Sequence, residues 1–126
     1  MMTPKRELGD FGEGLAEDFL RQKGYKILQR NFRVPKGEID IIAEKDEKTI
    51  FIEVKTRQSN TFGNAIEGVG SQKINRMYKA IDAYFRAQYK DPDEEPFQID
   101  IVGITAFPHK TPSIVHIENA VEFGDY

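Results

Sequence analysis

Leu8, Phe11, Leu15 and Phe19 recur at three- and four-residue spacing, which predicts a helix over residues 7–22. Gly24 is a fitting C-terminal stop. "YKILQRNFRV" then reads as a strand, and Pro35 and Gly37 as a turn. Residues 39–44 and 48–55 read as two more strands. "RQSNTFGNAIEGVG" is polar and Gly-rich, hence a loop. Ser71 suits the N-cap of a second helix, whose apolar stripe is Ile74, Met77, Tyr78, Ile81, Tyr84 and Phe85. "DPDEEP" ends that helix, "FQIDIVGITAF" is a fourth strand and "SIVHI" a fifth. The order is α-β-β-β-α-β-β. A helix between the third and fourth strands predicts a crossover to a parallel strand. The expected fold is α/β, a mixed sheet of four to five strands flanked by helices.

The second and third strands carry charges where a core is expected. Asp40 sits among Ile39, Ile41 and Ile42, and Glu53 and Lys55 flank Val54. A hairpin turning at Asp46 and Glu47 pairs Lys45 with Lys48, Glu44 with Thr49, Ile42 with Phe51 and Asp40 with Glu53. It also sets Glu38 opposite Lys55. All four charged residues then share one face. Opposed Cβ atoms lie about 4.5–5.5 Å apart, so the two acids repel unless a cation sits between them. Two carboxylates, a backbone carbonyl and waters suit a hard divalent ion such as Mg²⁺. Lys55 could orient or deprotonate a water, or stabilise charge on a phosphate. The same residues would also make a half-exposed hairpin with a cross-strand ion pair, and a one-residue slip would separate the acids.

Composition narrows the options. A chain of 126 residues suits a single domain over 1–126. With no Cys, there is no disulfide framework and no thiol nucleophile. No run is long enough to span a membrane and the start has no apolar leader, so a cytoplasmic protein is expected. The net charge of −3 opposes nucleic-acid binding, but it is an average. Residues 21–37 hold six Lys or Arg (Arg21, Lys23, Lys26, Arg30, Arg33 and Lys36) and no acid, whereas beyond Lys90 there are eight acids and one Lys. Such a basic segment can meet phosphates, or simply be a solvated face.

Gly9, Gly12 and Gly14 surround Glu13 in the first helix. Glycine is costly inside a helix unless the backbone must approach something closely, here the sheet, bringing Glu13 to the acids. The alternative is a helix that starts after Gly14. Lys73, Arg76 and Lys79 lie off the second helix's apolar stripe and could contact phosphates. Asp100, in "QIDIV", is either an accessory acid or a strand residue with a local partner. His109 and His116 are too sparse for a zinc site.

An acid on the first helix, then Asp, then E-x-K on consecutive strands, resembles the PD-(D/E)XK nuclease superfamily. Over roughly residues 7–90 the chain resembles the YraN-type family of predicted bacterial endonucleases, through "GDFGEGLAEDFL", "NFR", "GEIDIIA", "FIEVKTR" and "FGNAIEGVGSQK". It is more distantly similar to archaeal Holliday-junction resolvases. The resemblance implies a restriction-endonuclease-like core and a Mg²⁺- or Mn²⁺-dependent phosphodiesterase site. Asp40 and Glu53 match the metal-binding acids, Lys55 the catalytic lysine and Glu13 the helix acid. Val54 would add its carbonyl to the metal. Arg30 matches a strand-one arginine, and Gln72 resembles a helix glutamine of some branches. The usual proline before the first acid is replaced by Ile39. The expected substrate is DNA, branched or structured. Arg30, Arg33, Lys36, Arg57, Lys73 and Arg76 would hold its backbone. A homodimer would suit two-fold DNA. The alternatives are a non-cleaving nucleic-acid-binding or adaptor module, or a nuclease acting on RNA.

Overall fold

A computed structural model describes residues 3–58 and 70–121. Helix α1 (Pro4–Gln22) leads into β1 (Lys26–Val34), β2 (Gly37–Lys45) and β3 (Lys48–Gln58). Helix α2 (Ser71–Ala87), β4 (Phe97–Ala106) and β5 (Ser113–Ile117) follow. The five strands form one sheet in the order β1-β2-β3-β4-β5. The β3–β4 pair is parallel and the other pairs are antiparallel. This is the mixed α/β sheet that the hydrophobic pattern predicts.

The ends of the helices differ from expectation for local reasons. Helix α1 starts at Pro4, because the Thr3 hydroxyl caps it by accepting from the Arg6 N–H at 3.2 Å. A start after Gly14 is therefore ruled out. Gly70, in extended conformation, caps α2 without a side-chain bond, so Ser71 is the first helical residue rather than the cap. Most of the expected loop, residues 59–69, lies outside the described residues.

The hairpin turn falls where expected. Asp46 and Glu47 both have positive φ, 52° and 65°. Such a two-residue turn matches the twist of the flanking strands. It sets Lys45 opposite Lys48, Glu44 opposite Thr49 and Ile42 opposite Phe51.

The sheet has a core on each face. Ala16 and Leu20 of α1 pack with Ile41, Ala43, Ile50, Ile52 and Val54. Ile74, Met77, Ile81 and Phe85 of α2 pack with Ile39, Ile42, Phe51 and Ile99. Alternation along β3 explains the split, since Ile50, Ile52 and Val54 face α1 while Phe51 faces α2.

Two glycines permit this closeness. A β-carbon on Gly12 would overlap the Thr56 side chain, so α1 approaches β3 there. Gly9 and Gly14 face open space, so the close-approach argument holds for Gly12 alone. A β-carbon on Gly37 would meet the α2 backbone at the Arg76 carbonyl and the Ala80 N–H. Backbone cannot move aside as a side chain can. Gly37→Ala is therefore expected to cost about 1–3 kcal/mol, read as a lower urea midpoint at unchanged slope. An unshifted midpoint would mean that α2 moves freely on β2.

Candidate functional site

The site is a fork between β2 and β3. Their pairing stops at Ile41 and Ile52, one step before Asp40 and Glu53. On the other side of β2, the register passes from Arg30–Ile41 to Phe32–Ile39 without an Asn31–Asp40 pair. Asn31 has φ of 54°, a conformation Asn tolerates better than most residues. Ile39 and Ile42 belong to the same core, although residues three apart in a regular strand face opposite ways. The interruption falls at Asp40. Its carboxylate leaves the strand pattern and accepts from the Val54 N–H at 2.8 Å.

Glu53 follows Phe51 on the α2 face, and its side chain is only 7% exposed. The carboxyls of Asp40 and Glu53 act on each other's ionisation. As two ionised acids they are acceptors facing each other, and Glu53 Oε2 is buried without a hydrogen-bond donor. Burial, and then the Asp40 charge, push the Glu53 carboxyl up to about 8. Asp40 is also raised by burial, although the Val54 N–H and the Lys73 charge oppose this. Glu13 approaches from α1 and is raised by burial and then by the Asp40 charge. The Asp40 charge thus acts on both Glu53 of β3 and Glu13 of α1, and carboxyls perturbed in this way are enriched at functional sites.

The cation beside Glu53 is Lys73 of α2. Its ammonium lies 3.3 Å from Glu53 Oε1 and 3.0 Å from Glu38 Oε1. The hydrogen bond from Lys73 is the main reason that the Glu38 carboxyl lies below its ordinary range. Glu38 does not face Lys55, because the β2–β3 ladder ends before reaching it; Glu38 pairs with Arg33 on β1. Lys55 is half-buried and lies two residues beyond Glu53, on the same face by alternation.

The donor set suits a hard divalent ion. It comprises two adjoining carboxylates, one with an orphaned buried oxygen, beside the Val54 backbone. Among the described residues no group of three or more His, Cys, Asp or Glu side chains is placed to hold a metal ion, so the protein would offer the pair alone. An ion that keeps several waters needs no fuller cage.

The other cations are scattered. Arg30 is engaged by α1, with Nη2 3.5 Å from Glu13 Oε1 and Nη1 3.8 Å from Glu17 Oε1. Arg33 and Lys36 are exposed at the end of β1 and the following turn. Arg57 is half-buried near the end of β3. Arg76 is exposed, 4.0 Å from Glu38, and Gln72 is exposed in the first turn of α2.

Asp100 serves a separate network. It pairs with Ile52 in the parallel ladder, so it faces α1 and not the Glu53 side. Its fully buried carboxylate accepts from the Tyr25 hydroxyl (2.8 Å), His116 Nε2 (2.7 Å), Gln98 Nε2 (2.9 Å) and the Asn119 N–H (2.9 Å). The Lys23 ammonium donates to His116 Nδ1 at 2.7 Å. Ammonium cannot accept, so Nδ1 is the acceptor and the ring proton sits on Nε2, facing Asp100. Burial alone would raise Asp100, but the bonds from His116, Asn119, Gln98 and Tyr25 outweigh it and hold the carboxyl low.

Two features escape the linear reading. Lys73 is legible as a basic residue off the apolar stripe, but not its insertion between Glu38 and Glu53. The Asp100 network joins two noted oddities, a buried Asp in "QIDIV" and a lone His in "SIVHI", whose pairing could have been suspected from adjacent strands.

Known sequences place the chain among relatives. The model of uncharacterised protein family UPF0102 matches residues 12–104, which include Glu13, Asp40, Glu53, Lys55 and Lys73. A UPF0102 protein of Syntrophomonas wolfei is 45% identical over 115 residues, 91% of this chain and 97% of the relative. One from Roseiflexus castenholzii is 41% identical over 123 residues, covering 96% and 98%. No described helix is long and apolar enough to cross a membrane. With matches that span nearly the whole of both chains, the protein belongs to the UPF0102 family.

Proposed function

We propose that this protein is a divalent-cation-dependent nuclease that hydrolyses phosphodiester bonds in DNA, with branched or structured DNA as the preferred form. The observation that carries the reading is the pairing of half-buried Asp40 with buried Glu53, whose Oε2 has no hydrogen-bond partner. Buried carboxylate oxygens are normally hydrogen-bonded, whereas Glu53 Oε2 has no donor. Asp40, Glu53 and the Val54 carbonyl would hold Mg²⁺ or Mn²⁺. That ion would offset the carboxylate charge and act as a Lewis acid toward a phosphate oxygen and water. Lys55, on the face of Glu53, would orient the attacking water and offset charge on the phosphate. Glu13 would complete the acid cluster from α1. Exposed Arg33, Lys36 and Arg76 would grip the backbone without reading sequence.

One cleavage panel tests this. It contains single-stranded, duplex, flap and four-way DNA, and RNA, each with Mg²⁺, Mn²⁺ or chelator. Cleavage of DNA with metal is expected. Asp40→Ala and Lys55→Ala are each expected to reduce it by about 10²-fold or more, as removal of a group acting on the transition state does. Equal activity in wild type and both variants would identify a contaminant. Salt-sensitive binding without turnover would identify a binding module instead.

A further inference from the structure

Lys73 stands at the carboxylate that would hold the metal ion. Its ammonium touches Glu53 Oε1, and its charge acts on Asp40 as well. It also touches Glu38, which is one-third exposed and lies outside the acid pair. The lysine therefore has two anchors. One is the buried Glu53, beside the orphaned oxygen, and the other is the more accessible Glu38. Arg76, 4.0 Å from Glu38, adds a second cation there. The close backbone contact of α2 with Gly37 holds the helix, so the lysine reaches the acids on a fixed stem.

An ammonium on Glu53 Oε1 weakens the binding of a divalent ion to the same carboxylate, because the two positive charges repel at close range. We propose that Lys73 is a tethered counter-ion of the acid pair: it offsets the negative charge that Asp40 and Glu53 carry together when no metal is bound, and it withdraws to Glu38 when a divalent cation enters. Lys73 is thus a positioning residue that sets metal affinity, and Glu38 is its docking point. This rests on the metal-site reading above.

The test is titration of Mn²⁺ into the full chain, followed by calorimetry and by the proton relaxation of water. It needs no substrate and no cleavage. Lys73→Met is expected to bind Mn²⁺ roughly tenfold more tightly than wild type, because the ion no longer displaces an ammonium. Glu38→Gln is expected to bind roughly threefold more weakly, because the lysine has lost its retreat. The partly exposed position of Glu38 lets that variant fold even if Lys73→Met does not. In the double variant the Glu38 effect should vanish and affinity should match Lys73→Met, since the two residues act through one contact. Unchanged affinity in Lys73→Met would overturn the counter-ion role while leaving the metal site standing. A Glu38 loss that persists in the double variant would make Glu38 a ligand and also overturn it. No Mn²⁺ binding by any variant would overturn both this role and the metal-site reading.

Discussion

Asp100→Ala is expected to destabilise the protein by about 3–5 kcal/mol, the cost of removing one partner from a buried charged network. The substitution strands four donors at once: the Tyr25 hydroxyl, His116 Nε2, Gln98 Nε2 and the Asn119 N–H. It also leaves a cavity under α1, where Tyr25 and Val102 are buried. Urea unfolding at neutral pH reads the loss directly. Asp100→Asn should cost less, since its amide oxygen can still accept, although its NH₂ meets donors. The folded carboxyl is held below its ordinary value, so its contribution is present at neutral pH and lost as pH falls through the folded pKa. The stability gap between wild type and Asp100→Ala should therefore close in acid. A cost below about 1 kcal/mol at neutral pH would mean that the donors find other partners.

Glu53→Gln should change how stability depends on pH. The Glu53 carboxyl titrates at about 8 when folded, against an ordinary value of 4.5. Between those values the folded chain keeps a proton that the unfolded chain has released. Raising the pH therefore favours unfolding, by up to about 1.4 kcal/mol per pH unit for that one proton. The causes are burial and then the Asp40 charge, and both fall away when the carboxyl becomes an amide. In chelator, Glu53→Gln should thus gain stability relative to wild type as pH rises from about 5 to about 8. Urea midpoints of the two proteins at pH 5.5 and 8 give the comparison. Parallel pH dependences would show that Glu53 ionises freely in the fold. Added Mg²⁺ should flatten the wild-type slope, because a bound cation offsets the ionised pair.

How far the chain could be read before its fold was known follows from the range of each interaction. The helices, strands and hairpin depend on neighbours a few residues apart, and the apolar periodicities located them. The register near the turn was legible because two residues of positive φ set it. Past Ile41 the same arithmetic fails. Asp40 leaves the ladder for the Val54 N–H, so the predicted facing of Glu38 with Lys55 never forms. That departure coincides with a positive φ at Asn31 on a different strand, and no period-two rule contains it.

By itself the sequence determined the α/β order, the central hairpin and the choice of Asp40, Glu53 and Lys55 as the residues to watch. Local periodicity and the cost of a charge among isoleucines suffice for that. Tertiary structure alone decided which cation meets the acids. Lys73 reaches Glu53 across 20 positions and Glu38 across 35 only because α2 docks against Gly37. It also decided that Asp100, the second Asp in an I-D-I pattern, faces the opposite side of the sheet. Two identical local patterns diverge because the face a strand residue takes is set by its neighbours in the sheet, and those neighbours are remote in the chain.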